Sequence, residues 1–285
     1  MEAKEAMYKA MNSETGLSGV STGYDSVDKF TGGLQPGDLI VVGGFPGTFK
    51  SALTLAIEHN AEKTGIPTFM FEQEMSGRQV GMREIAMATG IATEDIKTGN
   101  ITEEQAQKIE EAIGRLEKKK VFMDLSSGVR IGRIKSLLRK MVKEEGVGLC
   151  VIDYLGLCDL EEKKHGGKEQ AIDAFCRDLK NLAKELDIPI MLLAQFTKEA
   201  ASEKLKVPHA GLLKGSGAIE AHSDMTWLLW NPTAIDPNFQ YDFMDGSGPF
   251  STMGKLGLMH AKNRQGRIGL QFIGVSPETN IFYDL

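Results

Sequence analysis

Short apolar runs alternate with longer segments of helical periodicity along most of this chain. Each run has about the length of a strand buried on both faces, and most are followed by turn residues and an amphipathic stretch. The runs lie at residues 38–43, 67–72, 121–125, 148–154, 188–195 and 225–230. Strands that alternate with helices predict an α/β fold with a mostly parallel central sheet flanked by helices.

The C-terminal part departs from this alternation. Residues 255–261 and 267–273 predict a β-hairpin, and residues 281–283 predict a last strand. Before them, residues 159–170, 197–217 and 231–253 are polar or contain several glycines. We interpret these three segments as a mobile loop, a flexible region and an insertion. A short helix capped near Ser21 and Thr22 is expected to precede the first strand.

The N-terminal segment predicts a separate amphipathic helix. Over residues 2–12, Ala3, Met7, Ala10 and Met11 share one face at helical spacing. A break with glycine and serine follows, so the helix is either a frayed terminus or an arm that packs on another surface. We expect an arm over residues 1–16 and one domain over residues 17–285.

Composition narrows the possible functions. The net charge of −6 gives no global basic field, so contacts with nucleic acid would have to come from local basic loops. The three cysteines form no close pair, which argues for a reducing compartment without a disulfide frame or a cysteine-based zinc site. No signal peptide or membrane-spanning apolar run is evident, so we expect a cytoplasmic protein with no membrane partner.

A glycine-rich turn joins the first apolar run to the next helix. Its residues Gly44, Pro46, Gly47, Thr48, Phe49, Lys50 and Ser51 nearly match the phosphate-binding loop, in which a glycine is followed after four residues by Gly-Lys-Ser/Thr. In such a loop the backbone N–H groups surround phosphate, the lysine reaches the terminal phosphates and the hydroxyl holds Mg²⁺. Phe49 replaces the last glycine, so an ordinary strand–turn–helix connection remains the alternative.

Polar side chains follow three of the other predicted strands. Glu72 and Glu74 come at the end of the strand over residues 67–72, Asp153 comes near the end of the strand over residues 148–154, and Gln195 ends the strand over residues 188–195. Ligands bind beyond the carboxyl ends of parallel strands, so these groups are candidates to surround a nucleotide. A carboxylate there can orient or deprotonate water, and we favour Glu74 over Glu72 for this role. Arg83, on the helix that Ser76 and Gln79 cap, is expected to point back at the same site.

Basic residues concentrate in the two predicted mobile segments. The candidates for contact with nucleic acid are Lys163, Lys164, Lys168, Lys198 and Lys214, together with Gly215 and Gly217, whose backbone N–H groups could hold a phosphate. Exposed lysines in loops are also common without any ligand.

Several segments in this order resemble the C-terminal, RecA-like motor domain of the DnaB-type replicative helicases. They are residues 22–25, 33–40, 72–76, 151–155, 183–186 with Pro189, 216–220 with Asp224, and 262–266. The resemblance covers about residues 17–285. It implies a helicase that forms a hexameric ring, hydrolyses ATP, or another NTP, with Mg²⁺ and moves on single-stranded DNA.

Within this resemblance each position takes a role. Lys50 matches the phosphate-binding lysine, Ser51 and Asp153 the groups that hold Mg²⁺, Glu74 the catalytic glutamate, and Gln195 the sensor glutamine. Lys262 and Arg264 match a basic pair that reaches the neighbouring subunit's ATP, with Arg264 as the arginine finger. Lys214, Gly215 and Gly217 match a loop that grips the DNA backbone, although Gly215 stands where the family commonly has Glu. The segment 1–12 matches the linker helix that docks on the adjacent subunit.

Two departures from the family pattern leave other functions open. The N-terminal domain that contacts primase is absent, as in phage or plasmid replication modules, although a shortened piece of a longer protein would look the same. A primase and a helicase loader are further candidate partners. Phe49 predicts weaker or slower nucleotide use. The alternatives are a RecA-like recombinase or loader that forms filaments on DNA, and a nucleotide-binding ring subunit with impaired hydrolysis.

Overall fold

The structure is a computed structural model that describes residues 16–243 and 248–285. The helix predicted over residues 2–12 lies outside the described residues. No helix within the described ranges is long and apolar enough to cross a membrane.

A nine-stranded sheet forms the centre of the described chain, in the order β11-β10-β9-β6-β1-β5-β4-β2-β3. The strands are β1 Leu39–Gly44, β2 Thr68–Glu72, β3 Val121–Asp124, β4 Leu149–Asp153, β5 Ile190–Gln195, β6 Met225–Trp230, β9 Lys255–Asn263, β10 Gly269–Ser276 and β11 Ile281–Tyr283, with β7 Gln240–Phe243 and β8 Gly248–Ser251 in a separate hairpin. The six strands from β6 to β3 are parallel, and β9, β10 and β11 extend the sheet in antiparallel fashion. The mostly parallel sheet and the C-terminal hairpin are confirmed.

Helices cover both faces of this sheet. They are α1 Asp25–Thr31, α2 Lys50–Lys63, α3 Gly77–Thr89, α4 Thr93–Thr98, α5 Glu103–Leu116, α6 Ile131–Glu145, α7 Glu162–His165, α8 Lys168–Leu186 and α9 Ser216–His222. One apolar core lies between the sheet and helices α6 and α8, and a second lies between the sheet and α2. Alternate residues of β1 enter the two cores, as expected for a strand buried on both faces.

The register of the parallel strands brings their polar ends to one edge. Gly44 pairs with Gln195, and Glu72 pairs with Asp153. The edge of the sheet at the carboxyl ends of β1, β2, β4 and β5 therefore carries the phosphate-loop candidate and three of the predicted polar groups together.

The last strand ties the ends of the domain together. After β11, the carboxylate of Asp284 accepts hydrogen bonds from the backbone N–H groups of Asp25 (2.8 Å) and Ser26 (3.0 Å). Both N–H groups belong to the first turn of α1, where they have no acceptor within the helix. Asp284, which lies 258 positions after Ser26, therefore caps this helix. The cap predicted near Ser21 and Thr22 is wrong, because both side chains bond Asp28 instead and the helix begins at Asp25.

The three segments interpreted as irregular contain more structure than the sequence indicated. The interpretation of residues 159–170 as a loop is wrong in part, since α7 and the first turn of α8 lie there. Residues 197–217 include two short 3₁₀ turns and the start of α9. Within the insertion 231–253, β7 pairs with β8, and aromatic rings of these two strands pack on Trp230 and Phe272.

Candidate active site

A cleft of about 290 Å³ opens at the carboxyl edge of the parallel strands. It is lined by Pro46, Gly47, Phe49, Lys50, Ser51, Ala52, Glu74, Met75, Arg83, Asp153, Gln195 and Asn280. Most of these residues were predicted as site residues from the sequence. The structure brings them together from six separate parts of the chain.

The glycine-rich turn forms the floor of this cleft. It leads directly into α2, whose first residue is Lys50, so the free N–H groups of the helix N-terminus face the turn. The Lys50 ammonium folds back over the turn and donates hydrogen bonds to the carbonyl oxygens of Gly44 (3.2 Å) and Phe45 (2.8 Å). Burial lowers the pKa of Lys50 to about 8, against the opposing charges of Asp153 and Glu74. The turn thus presents a cation and backbone donors suited to phosphate.

Phe49 adopts the left-handed conformation that a glycine would take, with φ 62°. This conformation costs a residue with a Cβ roughly 1–2 kcal/mol. The phenyl ring packs against the apolar core beside α2 and lies edge-on to Phe282, with 6.3 Å between the ring centroids. The turn therefore keeps the shape of a phosphate loop despite the missing glycine, because the ring lies to one side of it.

Asp153 and Ser51 provide oxygen ligands suited to a magnesium ion. Asp153 is 1% exposed, and its Oδ2 atom has no hydrogen-bond partner in the described structure. Burial raises the pKa of Asp153 to about 6, while a hydrogen bond from Ser51 lowers it. A hydroxyl beside a buried carboxylate with a free oxygen is the donor set that Mg²⁺ prefers. The residues present therefore fit the predicted metal.

The two candidate carboxylates for activating water lie in different surroundings. Glu72 is fully buried below the turn that follows β2, and burial raises its pKa to about 7. Glu74 is exposed and borders the cleft, and its carboxylate accepts no hydrogen bond from any described residue. Of the two carboxylates, only Glu74 is therefore exposed to the cleft, and its role in activating water stays a prediction.

Arg83 and Gln195 border the cleft from opposite sides. Arg83 points from α3 toward Glu72, Asp153 and Glu74, and burial lowers its pKa. Its Nη1 atom is buried without a partner in the described structure, so an anion in the cleft would satisfy it. Gln195 ends β5 and lies next to Tyr154. The pKa of Tyr154 is raised overall, because the effect of burial exceeds the opposite effect of its hydrogen bond with Gln195.

Asn280 and Met75 are cleft residues that the sequence did not reveal. Asn280 belongs to the turn between β10 and β11 and has φ 55°. It reaches the cleft only because the antiparallel strands fold back beside α2. No local pattern marks such a residue, although Asn is one of the few residue types that favour this conformation.

Three of the predicted DNA-contacting lysines converge on a second cavity. Lys168, Lys198 and Lys214 line a space of about 410 Å³ beside the cleft, and Gln195 borders both spaces. The pKa of Lys214 is lowered by its contact with Lys168 and by the charge of Lys198, while Glu162 raises it. Glu162 and Glu199 also line this cavity, and Lys168 lies 4.0 Å from Glu162, so three cations face two carboxylates. The remaining excess of positive charge is compatible with a phosphate.

The other predicted DNA contacts lie elsewhere. Lys164 pairs with Glu161 at 3.5 Å, and neither it nor Lys163 lines the lysine cavity. Gly215 has φ 78° and lies in a turn directly before α9, so the expected compact turn ends there and residues 216 and 217 belong to the helix. Gly217 lies inside α9 and borders a groove with the acidic side chains of Glu169 and Asp173.

Lys262 and Arg264 lie at the opposite edge of the sheet from the cleft. The end of β9 pairs with the beginning of β6, since Asn263 is opposite Met225. Strands of this length separate the two edges by about 15–20 Å. Lys262 donates hydrogen bonds to the carbonyl oxygens of Glu220 and Ser223, and Arg264 bonds Asp224 and the carbonyl of Ala221. These cations therefore cannot reach the cleft of their own chain.

Comparison with known proteins gives consistent matches over nearly the whole chain. A family model described as "DnaB-like helicase C terminal domain" matches residues 19–284. The replicative DNA helicase DnaC of Bacillus subtilis (strain 168) is 29% identical over 275 residues, which cover 96% of this chain and 58% of that protein. This chain thus spans little more than half the length of that relative.

Solved structures match the fold. A structure described as an ATPase domain gives a TM-score of 0.85 at 24% identity and covers 100% of this chain and 98% of that chain. A DnaB-like replicative helicase, described with its interactions with primase, gives a TM-score of 0.85 at 24% identity over 100% of this chain and 66% of that chain. The predicted RecA-like α/β fold is confirmed.

Proposed function

Since this chain belongs to the family of DnaB-like helicase C-terminal domains, we propose that it is the ATP-hydrolysing motor of a replicative DNA helicase. The observation that carries the proposal is the cleft in which Lys50, Asp153 and Glu74 meet. A phosphate-binding lysine, a metal-binding carboxylate and a free carboxylate are the three groups that hydrolysis of a nucleoside triphosphate requires.

In this proposal the cleft binds ATP, or another nucleoside triphosphate, with Mg²⁺. Backbone N–H groups of residues 44–51 and the Lys50 ammonium hold the phosphates, with Lys50 leaving the carbonyl oxygens of Gly44 and Phe45. Ser51 and Asp153 hold the metal, which when bound neutralises charge on the phosphate oxygens. Arg83 supplies a further cation from α3, where its Nη1 atom lacks a partner in the described structure.

Glu74 then orients the attacking water, and Gln195 contacts the terminal phosphate. The free carboxylate of Glu74 accepts a proton of the water and directs the oxygen at phosphorus. Gln195 suits a sensor because it lies between the cleft and the lysine cavity. Loss of the terminal phosphate on hydrolysis would therefore change the contacts of Gln195, a side chain that also borders the proposed DNA site.

The cations at the far edge complete the site in trans. Lys262 and Arg264 cannot reach their own cleft, so their catalytic role requires a neighbouring subunit whose cleft faces them. A closed ring satisfies this need at every interface because each contact is head-to-tail. We propose a homo-oligomeric ring, hexameric as in the resemblance drawn from the sequence, with residues 1–16 docked on the adjacent subunit.

The lysine cavity is the proposed contact with single-stranded DNA. Lys168, Lys198 and Lys214 would bind backbone phosphates, so affinity would not depend on sequence and would fall with salt. A primase is proposed as a further partner, since a similar helicase structure is described with its interactions with primase. A helicase loader and a cytoplasmic location, where replicating DNA is found, are proposals of the same kind.

A DNA-stimulated ATPase assay tests the proposal most directly. We expect the wild-type protein to hydrolyse ATP faster with single-stranded DNA, and Lys50→Ala to lose at least about 100-fold in turnover because a phosphate contact in the transition state is removed. Lys63→Ala, on the exposed end of the same helix, is the matched control and should keep its rate. Equal rates for wild type and Lys50→Ala would contradict the proposal.

Microscopy and a fork-unwinding assay distinguish the alternatives. Closed rings with an ATP analogue and single-stranded DNA support the helicase, whereas open filaments would indicate a recombinase-like protein. Forks with a single 5′ or 3′ tail report unwinding and its direction together. ATP binding without turnover would indicate a ring subunit with impaired hydrolysis. Phe49, which replaces the last glycine of the phosphate loop, is the residue that raises this alternative.

A further inference from the structure

Glu72 is a buried carboxylate beside the cleft that the proposed mechanism does not use. It is the last residue of β2, is 0% exposed and pairs in register with Asp153 on β4. A carboxylate in such a position is costly to bury, and here only its Oε1 atom is bonded, since Oε2 has no hydrogen-bond partner in the described structure. Its bonding partners therefore indicate what it does.

One oxygen of Glu72 holds the turn that carries Glu74. Its Oε1 atom accepts hydrogen bonds from the backbone N–H of Glu74 at 2.7 Å and of Met75 at 2.8 Å. Hydrogen bonds to a carboxylate are shorter and stronger than neutral ones, and both distances lie in that range. The N–H groups at the start of the turn are thus fixed to a side chain that is itself enclosed by the sheet.

The other end of the turn is fixed as well. The hydroxyl of Ser76 accepts a hydrogen bond from the N–H of Gln79, and the side chain of Gln79 accepts one from the N–H of Ser76. This capping box fixes the start of α3. Between these two anchors the side chain of Glu74 is exposed toward the cleft, so its position depends on the backbone that Glu72 holds.

We infer that Glu72 is a positioning residue that sets the place of Glu74 through the backbone of residues 74 and 75. This inference rests on the proposed function, in which Glu74 orients the attacking water. Glu72 does not itself serve that role, because it is buried under the turn and its Oε1 atom is already bonded twice. Displacement of a catalytic group by about 1 Å can cost as much as 100-fold in rate, so loss of this anchor has a measurable effect.

The test compares Glu72→Ala with Glu72→Gln in DNA-stimulated ATP hydrolysis. The alanine variant lacks the acceptor, whereas the glutamine variant keeps an amide oxygen in its place. We expect Glu72→Ala to lower kcat by about 10- to 100-fold while the affinity for a non-hydrolysable ATP analogue changes less than about threefold. Glu72→Gln should keep most of the wild-type kcat. Equal loss in both variants would overturn the inference.

Glu58→Gln is the matched control. Glu58 is a fully buried carboxylic acid on α2, in the same region, and its two carboxyl oxygens make no hydrogen bond to the turn. Loss of activity in this variant equal to that in Glu72→Ala would mean that any buried carboxylate matters, which overturns the positioning role. A double-mutant cycle of residues 72 and 74 adds a second criterion. If Glu72 acts through Glu74, Glu72→Ala should cause no further loss of kcat in a protein that already carries Glu74→Gln.

Amide hydrogen exchange provides a readout independent of activity. We expect the amide hydrogens of residues 74 and 75 to exchange faster in Glu72→Ala and at the wild-type rate in Glu72→Gln, because only the first variant lacks the acceptor. Unchanged amide exchange in Glu72→Ala would overturn the positioning role of Glu72 and leave the proposed function intact. Wild-type protein without DNA-stimulated ATPase activity would overturn the proposed function, and the positioning role with it.

Discussion

Arg264 and Asp224 form an ion pair of 3.1 Å at the edge of the sheet opposite to Lys50. The same carboxylate receives the ammonium of Lys180 at 2.5 Å and the backbone N–H of Leu39 at 2.9 Å. Asp224 is buried, whereas the Arg264 side chain is 49% exposed. The Nη1 atom of the guanidinium is therefore held by a fixed carboxylate and the Nη2 atom by the carbonyl of Ala221, while about half of the side chain stays exposed.

Replacement of Arg264 should lower hydrolysis strongly while the protein still folds, because Lys180 and the N–H of Leu39 still bond the Asp224 carboxylate. We expect Arg264→Ala to lower the DNA-stimulated turnover about 10³-fold, the lower range for arginine fingers, because the guanidinium neutralises charge on the transferred phosphate. Arg264→Lys should restore little, since one ammonium does not reproduce the planar fork of donors. The control is Arg267→Ala, a nearby cation on the hairpin.

Mixed rings test whether Arg264 acts in trans. Arg264→Ala subunits and Lys50→Ala subunits are each inactive alone, but a mixture contains interfaces in which both residues are intact. We expect partial activity that rises and falls with the mixing ratio. Absence of activity at every ratio would count against a shared site.

Removal of the Phe49 ring should change nucleotide use only slightly. The ring already lies beside Phe282, and residue 49 already has the left-handed conformation of a glycine. We expect Phe49→Gly to alter ATP affinity and turnover by no more than about threefold, because the gain from relieved backbone strain is offset by a lost aromatic contact of about 1 kcal/mol. Phe49→Ala, which keeps the strain and loses the ring, is the control. A tenfold gain in Phe49→Gly would show that the ring obstructs the loop.

The lysine cavity predicts a specific salt dependence. Each phosphate contact to a single strand contributes about 0.7 to the slope of log affinity against log salt. We expect Lys168→Ala and Lys214→Ala each to lower that slope by about this amount and to weaken binding to all sequences equally. Lys164→Ala should leave the slope unchanged, because its ammonium pairs with Glu161 outside the cavity. An effect as large in Lys164→Ala would place the DNA elsewhere.

His260 should make the fold less stable in mild acid. It is fully buried between Phe30 and Trp227, and burial lowers its pKa to about 4. The unfolded chain, with a histidine pKa of about 6.5, binds the proton first as the pH falls. The stability contributed by this group is therefore complete above about pH 6.5 and is lost toward about pH 4, by up to about 3 kcal/mol.

The difference between wild type and His260→Phe isolates this contribution. Asp38, Glu72 and Asp153 have pKa values raised by burial, and they act in the opposite direction over the same range. Denaturant unfolding of both proteins at several pH values removes these shared terms. We expect the stability of wild type relative to the variant to fall as the pH drops from about 6.5 to 4. A constant difference would contradict the neutral buried state.

Much of the site was predictable because its residues stand at the ends of apolar runs. Lys50, Asp153 and Gln195 each follow a strand that the sequence marks clearly, and parallel strands bring such ends to one edge. The opposite location of Arg264 also follows from an antiparallel hairpin. Local pattern and sheet geometry therefore suffice to predict where these residues lie, whereas their roles in catalysis stay predictions.

Other features depend on contacts between distant parts of the chain. Asn280 enters the cleft through the folding back of three strands, and Asp284 caps a helix that the sequence placed too early. The helix α9 was missed because glycines at 215 and 217 resemble a turn, whereas Gly215 only caps the helix and Gly217 lies within it. Glu72 looked like a rival to Glu74 until its burial and its two backbone bonds were visible.

The tie between Asp284 and α1 has a consequence for synthesis. Asn280 lines the cleft, and Asp284 lies just beyond it in the sequence, so both leave the ribosome long after the glycine-rich turn has been made. The phosphate loop is made near the beginning of the domain, yet its cleft lacks one wall until β11 joins the sheet. A nascent chain can therefore form the parallel core during translation, but the cleft is complete only after β11 has emerged.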